Sequence, residues 1–466
     1  MRRPNILLLL PDQHRGDYMP NPVEFLQSCG LPEIELEVPH LRSLMKNGTT
    51  FLDCVTPSPI CAPARACLAL GARYESCGVK DNTVDIPTGK KTLYTALRDV
   101  GYEVMGTGKF DVHKATKYWG ADGWVEGLGE LGFTRAIDNE GKFDAIIGSV
   151  SPSATNPAGD IEKLIDLENE YDRGPYMKYL YEKGVAQYHV SDFSRRMKDI
   201  QDIKFTDLAD EDYCDNWITN NTMRLFGEKN DDVPWFMQVN FTGPHDPWDI
   251  RKEMYESVKN RCFPPAVDTD ASSDIVSEIR KRYVAMIENI DRNIGRILAY
   301  LENRGELENT IIIYASDHGE MLGDHGLFGK AVPYRQSVQV PLLISGPGLL
   351  AGQICHGLVE LQDLTSTIID LAGGDSRFPE SISLKDTLVS GRDCCRSYQC
   401  SALGTWRMYK DERYKFICSE SGFSLFDLDN DIDEMTDISP VFPQLCRQYM
   451  EVLEGIPCKK TKRSSL

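Results

Sequence analysis

Five short apolar runs, separated by segments with helical periodicity, constrain the fold of this chain more than any other feature. Each run is bounded by polar or turn-forming residues, a pattern typical of strands that are buried on both faces. The runs are Asn5–Leu10, Tyr102–Met105, Trp235–Phe241, Thr310–Ala315 and Val340–Ser345. The helical segments are Pro39–Lys46, Thr92–Val100, Ile279–Asn303 and Asp363–Leu371. Strands that alternate with helices predict an α/β fold with a large, mainly parallel, mixed sheet flanked by helices.

The pattern changes after Gly374, which closes the last helical segment. Residues 407–417 and 423–428 alternate between apolar and polar side chains, as in a small antiparallel sheet. We therefore predict a larger domain over residues 1–375 and a smaller C-terminal α+β domain over residues 376–466. Residues 120–230 have weak periodicity and are expected to form loops and helices near the site. The basic tail Lys459–Arg463 is expected to be disordered.

The charge of the chain argues against two classes of partner. The sequence has 51 basic and 71 acidic side chains and a net charge of −20, whereas nucleic acids and anionic membranes attract basic surfaces. We therefore expect neither as a partner. The apolar start of the chain is too short for a secretion signal and is followed by Pro11 rather than by a small-residue cleavage site. We expect a cytoplasmic protein in which most of the 14 cysteines are free thiols.

Polar pairs led by an aspartate follow two of the predicted strands at the point where each strand ends. Asp12-Gln13 follows the first strand, and Asp317-His318 follows the fourth. Ligands of open α/β sheets collect beyond the carboxyl ends of the strands, so the two pairs can converge on one divalent cation. Oxygen ligands favour Ca²⁺, Mg²⁺ or Mn²⁺, and His318 leaves Mn²⁺ or Zn²⁺ open. Taken alone, Asp12 would more often be a loop or capping residue.

Four motifs carry the other reactive and cationic side chains. They are Cys61-Ala62-Pro63-Ala64-Arg65, Gly101 to Lys109 with His113 after it, Asn240 to Trp248 with His245, and Asp317 to Lys330. Pro63 suits the first turn of a helix, so Cys61 is expected at a helix N-terminus. Each residue has an ordinary alternative: Cys61 as a buried core thiol, His245 as a structural turn residue, and Lys330 as a solvated surface lysine.

In this order, the motifs resemble the signatures of the type I sulfatases, a family of the alkaline phosphatase superfamily. In that family a formylglycine-generating enzyme oxidises the cysteine to formylglycine, which is the nucleophile and also a metal ligand. The resemblance therefore implies an alkaline-phosphatase-like fold and a formylglycine at residue 61. It also implies one bound divalent cation, with Ca²⁺ preferred over Mn²⁺, Mg²⁺ or Zn²⁺. The implied metal ligands are Asp12, Gln13, Cys61, Asp317 and His318.

The resemblance also implies which cations bind the substrate. Lys109 is expected beside the formylglycine and Lys330 against the sulfate or the leaving oxygen, with Arg65 as a third cation of the site. A sulfate monoester is an anion, so the metal and these three side chains would lower the barrier to nucleophilic attack by preorganised positive potential.

Two histidines receive proton-transfer roles from the same resemblance. His245 is expected to protonate the leaving alcohol. His113 is expected to deprotonate the second hydroxyl of the aldehyde hydrate, so that the aldehyde re-forms and sulfate leaves. The family has this second histidine two residues after the lysine of the motif, where Asp111 stands in this chain; His113 comes two residues later.

Three functions stay open at this level. The first is a sulfatase that acts on a small sulfated substrate, a sulfated sugar before others, with Trp119, Trp248, Trp406 and Arg407 as candidates for the sugar-facing rim. The second is a phosphonate monoester or phosphodiester hydrolase of the same superfamily; Gly108-Lys109 and His113 favour the sulfatase. The third is a non-catalytic metal-binding protein, which would not explain why acids and cations follow strands in this order.

Overall fold

A computed structural model of the 466-residue chain describes residues 3–116, 118–142, 144–145, 174–199, 201–269, 273–375, 377–392 and 396–456. The expectation for the region 120–230 can therefore be compared with the structure only in part. The tail Lys459–Arg463 lies outside the described residues.

Nine strands form one mixed sheet. They are β1 (Asn5–Leu9), β2 (Gly48–Val55), β3 (Glu103–Gly108), β4 (Arg135–Asp138), β5 (Trp235–Asn240), β6 (Thr310–Ala315), β7 (Gln339–Ser345), β8 (Gln353–Cys355) and β9 (Val359–Glu360). Their order is β4-β3-β5-β1-β6-β7-β2-β8, with β9 also beside β2. The first five strands of this order run parallel to one another, and β7 pairs antiparallel with β6 and β2. All five predicted strands are present, and the mainly parallel mixed sheet is confirmed.

The central strands are buried because helices cover both faces of the sheet. Every residue of β1, β3, β5 and β6 is buried. Along β1, Leu7 and Leu9 join one hydrophobic cluster, and Ile6 and Leu8 join another on the opposite face. The alternation of side chains along a strand thus supplies both cores, which explains why the strand reads as a continuous apolar run.

Fifteen α-helices are present among the described residues. They are α1 (Val23–Cys29), α2 (Pro39–Lys46), α3 (Cys61–Leu70), α4 (Tyr74–Cys77), α5 (Leu93–Asp99), α6 (Glu126–Leu131), α7 (Pro175–Glu182), α8 (Ala186–Lys198), α9 (Cys214–Glu228), α10 (Lys252–Val258), α11 (Ser273–Asn303), α12 (Arg335–Val338), α13 (Asp363–Leu371), α14 (Lys385–Ser390) and α15 (Pro443–Gly455). Helices α2 and α13 have the predicted bounds. Within the described residues, no helix has both the length and the apolar composition needed to cross a membrane.

The long helix α11 covers one face of the sheet, and α3, α5 and α13 cover the other. The predicted periodic residues of α11, which include Ile287, Ile290 and Ile294, are fully buried. Helix α3 begins at Cys61, as the position of Pro63 predicts. Helix α3 therefore begins near the end of β1, since Sγ of Cys61 lies 3.9 Å from a carboxylate oxygen of Asp12.

A second, four-stranded antiparallel sheet lies near the C-terminus. Its strands, in spatial and chain order, are β10 (Gln399–Leu403), β11 (Trp406–Lys410), β12 (Tyr414–Ser419) and β13 (Gly422–Asp427). Helix α15 shares a separate small core with this sheet, which confirms the predicted C-terminal α+β region. Leu384 and Leu388, by contrast, pack into the core of the large sheet. The domain boundary near residue 375 stays a proposal, because the chain beyond it first packs against the larger core.

Candidate active site

A cavity of about 370 Å³ opens beyond the carboxyl ends of the central strands. Segments that follow β1, β3, β5 and β6 supply most of its wall, together with the start of α3. The lining residues are Gln13, Cys61, Asn82, Thr83, Lys109, Lys114, Gly141, Lys142, Asp144, Arg196, Thr242, His245, Asp246, Gly329 and Lys330. The predicted convergence of the strand ends is therefore present in the structure.

Two ammonium groups and an imidazole surround the sulfur of Cys61. Its Sγ lies 3.2 Å from Nζ of Lys330, 3.5 Å from Nζ of Lys109 and 3.4 Å from Nε2 of His318. Burial opposes ionisation of the thiol, but Lys109 and Lys330 together hold its pKa well below the ordinary value. The N-terminus of α3 adds partial positive charge at the same point. The surroundings of residue 61 therefore favour negative charge.

Four buried side chains have the arrangement of a metal site. One ligand atom from each of Asp12, Cys61, Asp317 and His318 lies within 4.8 Å of the others. Nε2 of His318 is 3.6 Å from a carboxylate oxygen of each aspartate. Burying two carboxylates this deep in the protein is costly unless positive charge lies beside them. Two carboxylates, one imidazole and the side chain of residue 61 form a donor set that fits a divalent cation.

Arg65 binds the metal-site carboxylates rather than facing the cavity. Its Nε donates to Asp317 Oδ2 at 2.9 Å, its Nη2 lies 3.5 Å from Asp12 Oδ2, and its Nη1 donates to Asn240 Oδ1 at 3.0 Å. The side chain is buried, and it is not among the cavity-lining residues of the described chain. Arg65 therefore holds the two aspartates in place from beneath the site.

Gln13 connects the metal-site loop to Lys330. Its Oε1 accepts a hydrogen bond of 2.6 Å from Nζ of Lys330, and its side-chain amide donates to Glu320. Glu320 is fully buried and also accepts a bond of 2.5 Å from the backbone N–H of Gly329, next to Lys330. Burial raises the pKa of Glu320. The oxygen of Gln13 thus orients Lys330 toward Cys61.

Lys109 is held between two acids. Its Nζ contacts a carboxylate oxygen of Asp12 and lies 3.1 Å from Asp111. Burial works against the charged ammonium, but the two acids raise the pKa of Lys109 well above its ordinary value. Lys109 therefore stays charged beside Cys61, as its place in the motif predicts.

The structure does not bring His113 into the cavity. Its ring packs so closely over Gly127 that a Cβ there would lie 2.4 Å from the imidazole. Burial lowers the pKa of His113. The neighbouring Lys114 lines the cavity instead and pairs with Asp111 and Asp144 at 3.1 Å each. The side chain that enters the wall after Lys109 is thus a lysine rather than the expected histidine.

His245 lies at the cavity wall, as predicted, on the segment that follows β5. Its Nδ1 lies 2.5 Å from the backbone oxygen of Asp246. The side chain keeps 17% of its surface exposed, whereas Asp12 and His318 have none. His245 can therefore meet a substrate that enters from solvent.

Two residues of the cavity wall could not be predicted from the sequence motifs. Lys142 and Arg196 come from the region of weak periodicity, where no spacing identifies them.

The four residues predicted for a sugar-facing rim do not line the cavity. Trp119 and Trp248 are buried, and Trp406 donates its Nε1–H to the backbone oxygen of Ala331 at 3.2 Å. Arg407 lies 3.6 Å from Glu75. None of these four candidates is among the cavity-lining residues that the structure describes.

Comparison with known proteins identifies the family of the chain. The family model described as Sulfatase matches residues 4–374. The chain belongs to the sulfatase family. Membership makes it a sulfuric ester hydrolase, and the resemblance drawn from the motifs is confirmed.

Individual relatives of this sulfatase are distant but extend over most of its length. An arylsulfatase of Clostridium perfringens is 26% identical over 474 residues, which cover 94% of this chain and 90% of the relative. An N-acetylglucosamine-6-O-sulfatase of Bacteroides thetaiotaomicron is 26% identical over 481 residues, covering 93% and 80%. A crystal structure of a phosphonate monoester hydrolase of Agrobacterium radiobacter superposes with a TM-score of 0.74 at 21% identity, covering 97% and 95%. The last likeness confirms the fold alone.

Arg65 forms ion pairs with two buried carboxylates, so its removal should destabilise the protein. We expect Arg65→Met to lower the free energy of unfolding by about 3–5 kcal/mol, because removing one partner of a buried ion pair leaves the other charges uncompensated. Urea denaturation in the presence of a chelator measures this without help from a bound metal. Arg98→Met, which changes an exposed arginine on α5, should shift the free energy by less than about 0.5 kcal/mol. Equal stability of the two variants would contradict the role given to Arg65.

Proposed function

We propose that this sulfatase hydrolyses a sulfate monoester, in the first instance a sulfated sugar, to alcohol and sulfate. We propose that its nucleophile is a formylglycine made from Cys61 by a formylglycine-generating enzyme, with one divalent cation beside it. The observation that carries the proposal is the convergence on the sulfur of Cys61. Two lysine ammoniums and His318 lie within 3.5 Å of it, next to two buried aspartates.

The side chains that bind the sulfate group would be Lys109 and Lys330. Both ammoniums lie beside residue 61, so an anionic group brought to this residue would contact both. Their positive potential is preorganised, because Asp12 holds Lys109 and Gln13 holds Lys330. Positive groups fixed before the reaction stabilise charge that develops in the transition state without a cost of reorganisation.

The metal would be held by Asp12, Asp317 and His318, together with residue 61 and the side-chain oxygen of Gln13. This donor set is mainly oxygen, which favours Ca²⁺ as the first choice over Mn²⁺, Mg²⁺ or Zn²⁺. A bound divalent cation would stabilise negative charge at the nucleophile. Arg65 would keep both aspartates oriented toward the ion, since it contacts each of them from the protein side.

The residue at position 61 starts helix α3 at the foot of the cavity. A formylglycine there would supply an oxygen nucleophile and a route for releasing sulfate, which an unmodified thiol lacks. The lysines, His318 and the helix N-terminus are in place to stabilise negative charge at this residue.

His245 is our candidate for protonating the leaving alcohol. It reaches the cavity from the side of β5 and has solvent-accessible surface. The proton-transfer role expected for His113 is not part of the proposal, because its ring packs on Gly127 away from the cavity. Lys114 lines the wall instead and adds positive charge there.

The wall beyond Cys61 supports a sugar as the alcohol. Asn82, Thr83, Lys142 and Asp144 line it and offer both hydrogen-bond donors and acceptors, which suits a substrate with several hydroxyl groups. The relative from Bacteroides thetaiotaomicron carries a sugar sulfatase name, which favours the same class for this chain.

Phosphonate monoester or phosphodiester hydrolysis is the second candidate, because hydrolases of the same superfamily can share the Cys-x-Pro-x-Arg motif found at Cys61 to Arg65. Charge does not distinguish the two candidates, because a sulfate monoester and a phosphodiester each carry one negative charge. Lys109 favours the sulfatase, because it closes a motif that resembles a sulfatase signature and its ammonium lies 3.5 Å from Cys61.

A mass measurement tests the nucleophile. Protein made together with a formylglycine-generating enzyme should yield a peptide in which residue 61 has the mass of an aldehyde rather than a thiol. Cys61→Ala should lose about 10³-fold or more in kcat/KM, because no nucleophile remains. Cys67→Ala is the matched control, since Cys67 is buried on the same helix but does not line the cavity. An intact thiol in fully active enzyme would rule out the formylglycine.

Metal removal tests the cation. Dialysis against a chelator should abolish turnover, and Ca²⁺ should restore it better than equal concentrations of Mn²⁺, Mg²⁺ or Zn²⁺ if the oxygen ligands dominate. Asp317→Asn should raise the Ca²⁺ concentration for half-maximal activity by about tenfold or more, since even residues behind the ligands change metal affinity this much. Unchanged turnover in metal-depleted enzyme would contradict the metal site.

A comparison of substrates tests the reaction class. Sulfated mono- and disaccharides, a phosphodiester and a phosphonate monoester should be assayed side by side with one enzyme preparation. We expect the highest kcat/KM on a sulfate ester, with at least one sulfated sugar among the best substrates. A large preference for the phosphodiester or the phosphonate would replace the proposed function with the second candidate.

A further inference from the structure

Asp246 connects His245 to Arg196 in the wall of the cavity. All three residues line the cavity, and Asp246 is only 4% exposed. Its Oδ1 lies 3.2 Å from Nδ1 of His245, and its Oδ2 accepts a hydrogen bond from Nε of Arg196, a residue of α8. The carboxylate is therefore held between the imidazole and a guanidinium.

The contacts of His245 determine which ring nitrogen carries a proton. Nδ1 lies against the backbone oxygen of Asp246 at 2.5 Å and its carboxylate oxygen at 3.2 Å. A carbonyl and an ionised carboxylate can only accept, so the proton of this contact is on Nδ1. Nε2, on the other side of the ring, is then the nitrogen that exchanges a proton with the substrate.

Asp246 has the charge needed to stabilise a protonated ring. Burial alone would favour the neutral acid, but His245 and Arg196 together lower the pKa of Asp246 to about 2. The carboxylate is thus ionised at neutral pH. An ionised carboxylate beside an imidazole stabilises the imidazolium, which is the form that can donate a proton.

We propose that Asp246, oriented by Arg196, is a positioning residue that holds His245 as the proton donor to the leaving alcohol. This inference rests on the proposed sulfatase reaction. When the sulfur–oxygen bond to the alcohol breaks, its electron pair stays on the alcohol oxygen, and sulfur forms its new bond to the nucleophile at residue 61. The proton moves from Nε2 of His245 to the alcohol oxygen and leaves a neutral imidazole.

Hydrolysis of an ester whose leaving group needs a proton should slow when Asp246 is changed. Hydrolysis of an ester whose leaving group needs no proton should not. Substituted phenyl sulfates provide this contrast with little change in size. Nitrophenolate leaves readily as an anion, whereas unsubstituted phenolate is a poorer leaving group that gains from protonation. The dependence of kcat/KM on the leaving phenol therefore distinguishes a proton-transfer role from general damage to the fold.

The experiment measures kcat/KM for wild type, Asp246→Asn, Arg196→Met and His245→Ala on 4-nitrophenyl, phenyl and 4-methoxyphenyl sulfate. In His245→Ala, loss of the proton donor should lower kcat/KM about 10²-fold for phenyl sulfate and only about threefold for 4-nitrophenyl sulfate. We expect the same contrast in Asp246→Asn and a smaller one in Arg196→Met. Arg196→Lys should recover part of the rate on phenyl sulfate, because it keeps the positive charge.

Asp249→Asn is the matched control. Asp249 is equally buried and ion-paired, three residues further along the same loop, but its partner is Lys142 rather than His245. The Asp249→Asn substitution should leave the difference in rate between the phenyl sulfates unchanged.

If Asp246→Asn slows the hydrolysis of all the esters equally while His245→Ala shows the contrast, the role of Asp246 is wrong and the proposed function stands. If His245→Ala shows no contrast, His245 is not the donor and the inference fails with it. Wild type without activity on any sulfate ester would instead overturn the proposed function.

Discussion

The burial of two aspartates at the carboxyl end of one sheet is the constraint on which the site depends. Asp12 and Asp317 follow the adjacent strands β1 and β6 and have no exposed surface. Carboxylates in such a position are stable only beside cations. Arg65 meets both from the protein side and Lys109 contacts Asp12. Nζ of Lys330 lies 3.9 Å from Asp12, and the metal of the proposed reaction would add a further positive charge beside the pair.

The cations that compensate these acids also determine the chemistry of residue 61. Lys109 binds Asp12 and lies 3.5 Å from the sulfur, so one ammonium contacts both the candidate metal site and residue 61. The net charge of −20 therefore does not describe the cavity. Lys109, Lys114 and Lys330 line it, and these nearby charges would outweigh distant ones that water and salt screen.

Sequence reasoning succeeded where the signal is local. The apolar runs predicted β1 and β6, because a strand buried on both faces has no polar side. Strand β2 was missed: its residues Thr49 and Thr50 are buried, yet they read as polar in the sequence. The candidates for the metal site and Lys330 were found because each follows a strand or lies in a contiguous motif. Lys142 and Arg196 were not, because only the folded chain brings them to the cavity.

The sequence by itself determined the α/β architecture, the family and the side chains able to carry the chemistry, because strand periodicity and motif spacing are properties of neighbouring residues. Only the tertiary structure decided which of these side chains face the cavity. It placed His113 over Gly127 and Lys114 in the wall, although they are adjacent in the chain. It also joined Asp246 to Arg196, 50 residues apart. Such pairings depend on how packed helices and loops direct each side chain, and a linear pattern does not contain that information.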